Sequence, residues 1–172
     1  MRILLDSIPD DGLKVRADKS AAWAFGACRV GLGGEPEDLS FDLLVTRIED
    51  HVRVKGKGTT SGQMTCDRCG EPVKLSLSGA VDLYYAPESY LVGAEAELGE
   101  DDLDIGWFDG EGLELEQVVT EAVALWAPSR VRCGDSGVTQ VGPAHPCSLP
   151  SSAIEGPDLH RASPFAKLRL PE

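Results

Sequence analysis

Val73-Lys-Leu75-Ser-Leu77-Ser-Gly79-Ala-Val81-Asp-Leu83-Tyr-Tyr85 decides the fold class. Its odd-numbered positions are apolar apart from Gly79, while Lys74, Ser76, Ser78, Asp82 and Tyr84 stand between them. A period of two belongs to a β-strand with one buried face and one wet face. The run is long, so it reads as one strand or as two joined at Gly79. Immediately before it, Cys66-Asp-Arg-Cys69-Gly-Glu-Pro72 has the composition of a tight turn. Further upstream Val52 and Val54 alternate with Arg53 and Lys55. Gly56-Lys57-Gly58 then supplies turn residues, and Thr59 to Thr65 reads as the returning strand.

Toward the N-terminus, Phe41 to Ile48 is apolar and rich in strand formers, and Gly33-Gly34-Glu35-Pro36 reads as a loop. Ala21 to Leu32, with Trp23, Phe25, Cys28 and Val30, reads as a buried strand. Leu13 and Val15 alternate with Lys14 and Arg16 in a first short strand. Downstream, Pro87 ends the sheet region, and Glu88 to Gly112 reads as an acidic loop. Leu115, Val118, Val119, Ala122, Leu125 and Trp126 then fall at helical spacing, with Glu114, Gln117 and Glu121 on the other face. Acidic residues at its start suit the helix dipole, and Pro128 closes it. The expected fold is α+β: an antiparallel meander or partly open barrel with one main helix from about Glu114 to Trp126. Val52, Val54, Leu75, Leu77, Val81 and Leu83 are the expected core beneath that helix. Residues 1–128 form the expected domain. Residues 129–172 form an irregular tail, rich in Gly, Pro and Ser from Arg130 to Ser163, in which Phe165 and Leu168 can dock back on one helical turn.

The chain has 172 residues, with 29 acidic against 16 basic side chains and a formal net charge of −13. Such a surface repels phosphate backbones at long range and favours a basic protein partner, or simply solubility. Thirteen of the acids, and no Lys or Arg, lie between Leu75 and Ser129. Any RNA contact is therefore expected through the basic strand at Arg53, Lys55 and Lys57, or through a bridging protein. The opening Met1-Arg-Ile-Leu-Leu-Asp6 is too short an apolar run for an export signal or a membrane span, so a cytoplasmic setting is expected.

Chemistry concentrates at Cys66-x-x-Cys69-Gly70. A Cys-x-x-Cys turn aims two thiolates at one ion, and the Gly lets the backbone turn beneath them. Zinc takes four such ligands, and the candidates for the other two are Cys133 and Cys147, with His145 as a substitute. Two other readings are a metal-free turn with reduced thiols and a thiol-dependent redox enzyme using Cys66 and Cys69. Redox pairs of that type sit at a helix start, and here strand-like sequence lies on both sides. Gly134-Asp-Ser-Gly137 resembles a serine-protease nucleophile segment, but His51, His145 and His160 have no supporting context, and a Gly/Ser turn accounts for it. Gly56-Lys-Gly58-Thr-Thr60 lacks the glycine frame and following helix of a phosphate loop.

Taken in order, Cys66-Asp-Arg-Cys69, Asp109-Gly-Glu-Gly112, Leu113-Glu-Leu-Glu-Gln-Val-Val-Thr-Glu-Ala122, Ala127-Pro128 and Pro164-Phe-Ala-Lys-Leu168 form a pattern. It resembles the YceD family of bacterial and plastid proteins, named for large-subunit ribosomal RNA accumulation. Many of its members carry a cysteine-rich cluster after the helix; here Cys133 stands where it begins, and Cys147 is the next cysteine. The resemblance implies a non-enzymatic factor that supports synthesis, stability or early assembly of large-subunit ribosomal RNA, with no catalytic residues. A basic ribosomal protein or assembly factor is the expected partner. A redox enzyme, or a structural metal-binding module of another complex, is the alternative.

Overall fold

In the computed structural model, which describes residues 1–91, 105–108, 112–141 and 147, long antiparallel strands carry the structure. Strand β1 (Arg2–Leu4) is followed by β2 (Leu13–Asp18), helix α1 (Ala22–Leu32), β3 (Glu35–Ile48), β4 (His51–Thr65) and β5 (Pro72–Pro87). Then come β6 (Ile105–Phe108), β7 (Gly112–Glu114), helix α2 (Leu115–Trp126) and β8 (Val138–Gln140). The main sheet runs β2-β3-β4-β5-β6, with β8 also paired to β5, and it does not close. All its pairings are antiparallel except β5 with β6. A separate two-stranded ribbon joins β1 to β7. The fold is α+β with an open meander, as the period-two pattern implies.

β5 is one unbroken strand through Gly79. β4 is unbroken too, so Gly56-Lys57-Gly58 is not a turn. The reversal lies upstream, where Ile48 pairs with His51 across Glu49-Asp50 and Glu49 takes φ 56°. Hairpins of this length need a left-handed residue, normally Gly or Asn, so a Glu in that place gives no signal in the sequence. The β4 glycines serve close approach instead. A Cβ on Gly56 would stand 2.1 Å from the Asp42 carbonyl oxygen and 2.9 Å from the Leu43 Cα, both backbone atoms. Gly56→Ala is therefore expected to force β3 and β4 apart and cost about 1–3 kcal/mol. In a urea titration the midpoint should fall with an unchanged slope; a midpoint equal to that of the unsubstituted protein would refute the close approach.

Ala21 to Leu32, read as a strand, is helix α1 (Ala22–Leu32). Its buried residues are Ala24, Ala27, Cys28 and Leu32, a helical spacing that the more conspicuous Trp23 and Phe25 mask. Alanines favour the helix, and Gly33 at φ 65° ends it in the left-handed conformation. α1 packs on α2, with Gly31 against Thr120 and Val123 and the Thr120 hydroxyl donating to the Ala27 carbonyl at 3.3 Å.

α2 lies where the spacing puts it. Leu115, Val118, Val119, Ala122 and Val123 are buried, each large one contributing about 1.5–3 kcal/mol. Leu125 lines up with Val118, but in the last turn nothing among the described residues packs over it, and it is 69% exposed. Of the expected sheet core, Val52, Val54, Leu75 and Val81 are buried, and Leu77 and Leu83 are half-buried. Tyr85 is fully buried, and its hydroxyl donates to Glu121 at 2.6 Å. Burial, with the Glu121 carboxylate second, pushes the Tyr85 phenol well above its usual range.

Two segments read as irregular contain strands. Ile105–Phe108, inside the expected acidic loop, pairs with Tyr84–Pro87. Val138–Gln140, inside the expected tail, pairs with Val73–Leu75. Both are too short for periodicity to reveal, and β5 supplies the edge that holds them. Most of the acidic tract, including Glu100, Asp101, Asp102 and Asp104, lies outside the described residues, as do Phe165 and Leu168.

Candidate metal centre and its arginine-lined cleft

The β4–β5 hairpin ends with the pair Thr65↔Pro72, and the residues between make the first cysteine turn. The Cys66 N–H donates to the Glu71 carbonyl at 2.9 Å and the Gly70 N–H to the Cys66 carbonyl at 2.9 Å. Gly70 takes φ 77°, a conformation that a side chain would strain.

A second turn reaches the same place from the far side of α2. Asp67 and Val131 hold each other: the Asp67 N–H donates to the Val131 carbonyl at 2.8 Å, and the Val131 N–H to the Asp67 carboxylate at 2.6 Å. Val131 is buried, so the chain is pinned just before Cys133. The Cys133 N–H then donates to the Cys66 sulfur at 3.4 Å. Gly134 turns the backbone at φ 88°, and β8 carries it back along the start of β5. Gly134-Asp-Ser-Gly137 is a pair of turns, with the Asp135 N–H on the Arg132 carbonyl and the Val138 N–H on the Asp135 carbonyl.

These turns, with Cys147, bring four sulfurs within 4.8 Å of one another. Cys66 and Cys147 are 3.6 Å apart, and Cys69 and Cys133 3.7 Å. Metal–sulfur bonds of about 2.3 Å in a tetrahedron require sulfur–sulfur edges of about 3.8 Å, so the residues fit a zinc ion. Cys66 is buried, and the other three are half-buried. Burial pushes the Cys66 thiol up, but N–H donors from Cys69, Arg68 and Cys133 outweigh it and bring the group to about 6. Burial, then the neighbouring sulfurs, push Cys147 up to about 12. His145 lies outside the described residues. Cys28, buried in α1, is not part of the cluster.

Beside the centre opens a cleft of about 770 Å³ lined by Asp67, Arg68, Ser129, Arg130 and Arg132. Sequence reasoning missed this convergence. Arg68 lies between Cys66 and Cys69, and Arg130 and Arg132 just precede Cys133, so the signal was present once the two turns were paired. The basic strand that the sequence singled out is already balanced. Arg53 grips Asp82 through two bonds of 2.9 and 3.0 Å, and Lys55 meets the same carboxylate at 3.5 Å. Arg53 also lies 4.6 Å over the Tyr84 ring, an aromatic partner that only strand register reveals. Lys57 shares a hollow with Asp42, which Arg16 binds at 2.8 Å.

Among the described residues no helix is long and apolar enough to cross a membrane. Neither the curated proteins nor the solved structures yielded a match. The family described as large ribosomal RNA subunit accumulation protein YceD matches residues 54–170, a span from inside β4 through the four cysteines and beyond. That span is more than half of the chain, and the chain belongs to the YceD family.

Proposed function

We propose that this protein is a non-enzymatic factor of the cytoplasm that supports large-subunit ribosomal RNA by binding a component of the growing particle, with Cys66, Cys69, Cys133 and Cys147 holding a structural zinc ion. The family supplies the biological setting. The observation that carries the mechanism is the closed set of four sulfurs. Four thiolates fill a tetrahedral ion and leave no position for substrate, which is the arrangement of a structural site. The ion would tie the β4–β5 hairpin tip to the segment after α2 and so fix the surface around it. Thiol exchange at Cys66 and Cys69 is the weaker reading. Cys66 is 1% exposed, no helix follows it, and each of the two sulfurs contacts a partner from the far side of α2. The expected partner is a basic ribosomal protein or assembly factor, since the chain carries a net charge of −13.

Depletion of the protein in growing cells is the test. Large-subunit ribosomal RNA should fall relative to small-subunit RNA, with particles lighter than the mature large subunit accumulating in a sucrose gradient. An unchanged ratio of the two RNAs would refute the reading.

A further inference from the structure

We propose that the cleft formed by Arg68, Arg130 and Arg132 is a binding site for the phosphate backbone of RNA. The inference rests on the ribosomal reading above and adds to it a direct RNA contact.

Three observations converge. The first is that these arginines have no ionic or hydrogen-bond partner for their guanidinium groups among the described residues. Arg16, Arg29, Arg47 and Arg53 each pair with a carboxylate. Three arginines against one acid, Asp67, leave the described lining of this cleft with a positive balance of two in a chain with 29 acids and 16 bases. The second is that the two nearby acids keep their charge but turn to backbone N–H groups and leave the guanidinium groups open. Asp67 accepts the Val131 N–H at 2.6 Å, and Asp135 accepts the Arg132 N–H at 3.1 Å. The third is mounting. Arg68 stands on one cysteine turn and Arg130 and Arg132 on the approach to the other, and the bonds between Asp67 and Val131 hold the two together. Arginine forks on a fixed backbone match phosphate oxygens bidentately and lose little freedom on binding. Ser129 lines the same cleft.

An acidic peptide offers the same charge, but RNA is the favoured occupant. A phosphate backbone is a regular array of anions, which suits three arginines lining one cleft better than scattered carboxylates do. The rest of the surface, being acidic, repels RNA, so contact should be confined to this cleft. Such binding positions the protein without reading sequence. The arginines also lie beside the thiolates, and simple charge balance for the metal centre is the competing role. It predicts metal loss, not RNA loss, when they are removed.

The experiment uses the full chain with its metal, a 20-nucleotide single-stranded RNA as probe and poly-glutamate as the acidic-peptide control. The variants are the triple Arg68→Gln/Arg130→Gln/Arg132→Gln, the matching triple Arg→Lys, and Lys55→Gln/Lys57→Gln on the sheet. The unsubstituted protein should bind the RNA with a strong salt dependence. The Gln triple should lose about tenfold or more in affinity, and its slope of log K against log salt should shrink by about 2, the value for three phosphate contacts on a single strand. The Lys triple should keep the slope but bind more weakly, and the sheet variant should bind as the unsubstituted protein does. Bound RNA should also shield Arg68, Arg130 and Arg132 of the unsubstituted protein from phenylglyoxal, a readout that needs no variant to fold. Absent RNA binding, an unchanged Gln triple, unshielded arginines, or poly-glutamate bound in place of RNA would each overturn the proposal. If RNA is not bound while depletion still lowers large-subunit RNA, the inference fails and the ribosomal reading stands.

Discussion

Removing the proposed zinc ion with a chelator, or replacing Cys66 by Ser, is expected to be the most damaging change to this protein. Structural zinc in small peptides contributes about 10–16 kcal/mol of apparent binding energy near neutral pH, and that energy is folding energy. Here the sheet has its own core of fully buried side chains, among them Val45, Val52, Val54 and Tyr85. Loss should therefore concentrate at the hairpin tip and the segment after α2. Cys66 is the ligand to test, because it is the most buried of the four and accepts the Cys133 N–H. Cys66→Ser should cost about 3–5 kcal/mol, the range for removing one partner of a buried charged set. Amide exchange should accelerate at residues 66–73 and 131–140, while α2 and the middle of β3 and β4 stay protected. Elemental analysis should find one zinc per chain in protein prepared under reducing conditions. Absence of zinc, together with exchange rates that chelation does not alter, would refute a metal-braced hairpin.

Trp126→Ala should have the second largest effect. Its ring stacks on Phe41, with centroids 5.9 Å apart and planes 11° from parallel. It lies over two glycines on adjacent strands: a Cβ on Gly79 would stand 2.3 Å from Nε1, and one on Gly58 2.9 Å from the ring. Its N–H donates to the Ala80 carbonyl at 3.2 Å. Truncation removes the ring from a place where the glycines have no side chains to fill the gap, so about 3–5 kcal/mol should be lost. For a chain of this size that lowers Tm by about 6–20 °C. Trp126→Phe keeps an aromatic ring and loses the N–H, and should cost about 0.5–1.5 kcal/mol, because the exposed Ala80 carbonyl exchanges its donor for water. Equal melting temperatures for Trp126→Ala and the unsubstituted protein would show that the ring is not a wedge.

The sequence was most legible where one physical rule acted alone. β5 and α2 declare themselves by period, since each turns one face inward over most of its length. It was least legible where tertiary contacts decided. Gly56 and Gly58 look like turn residues, yet they are bare strand positions that admit the Asp42 carbonyl and the Trp126 ring. α1 hides its helical spacing behind Trp23 and Phe25. β6 and β8 exist because β5 offers an edge, which no local pattern reports. The four cysteines were legible as candidates from their types alone. Their convergence was not, because it depends on the bond pair between Asp67 and Val131, residues 64 apart in the chain. The arginine cleft was hidden for the same reason.

The distance along the chain between Cys66 and Cys147, 81 residues, has a consequence for the order of events during translation. At about 5–20 residues per second, the ribosome completes Cys66 about 4–16 s before it adds Cys147. Throughout that interval β3, β4 and the first cysteine turn can emerge, but the fourth sulfur does not yet exist. The cluster therefore closes only after residue 147 has been made, and the proposed ion, held by Cys66 and Cys69 alone, would remain exchangeable until then. Closure of the centre is a timing mark: the bonds between Asp67 and Val131 can form first, and the four sulfurs meet only after Cys147 has been added.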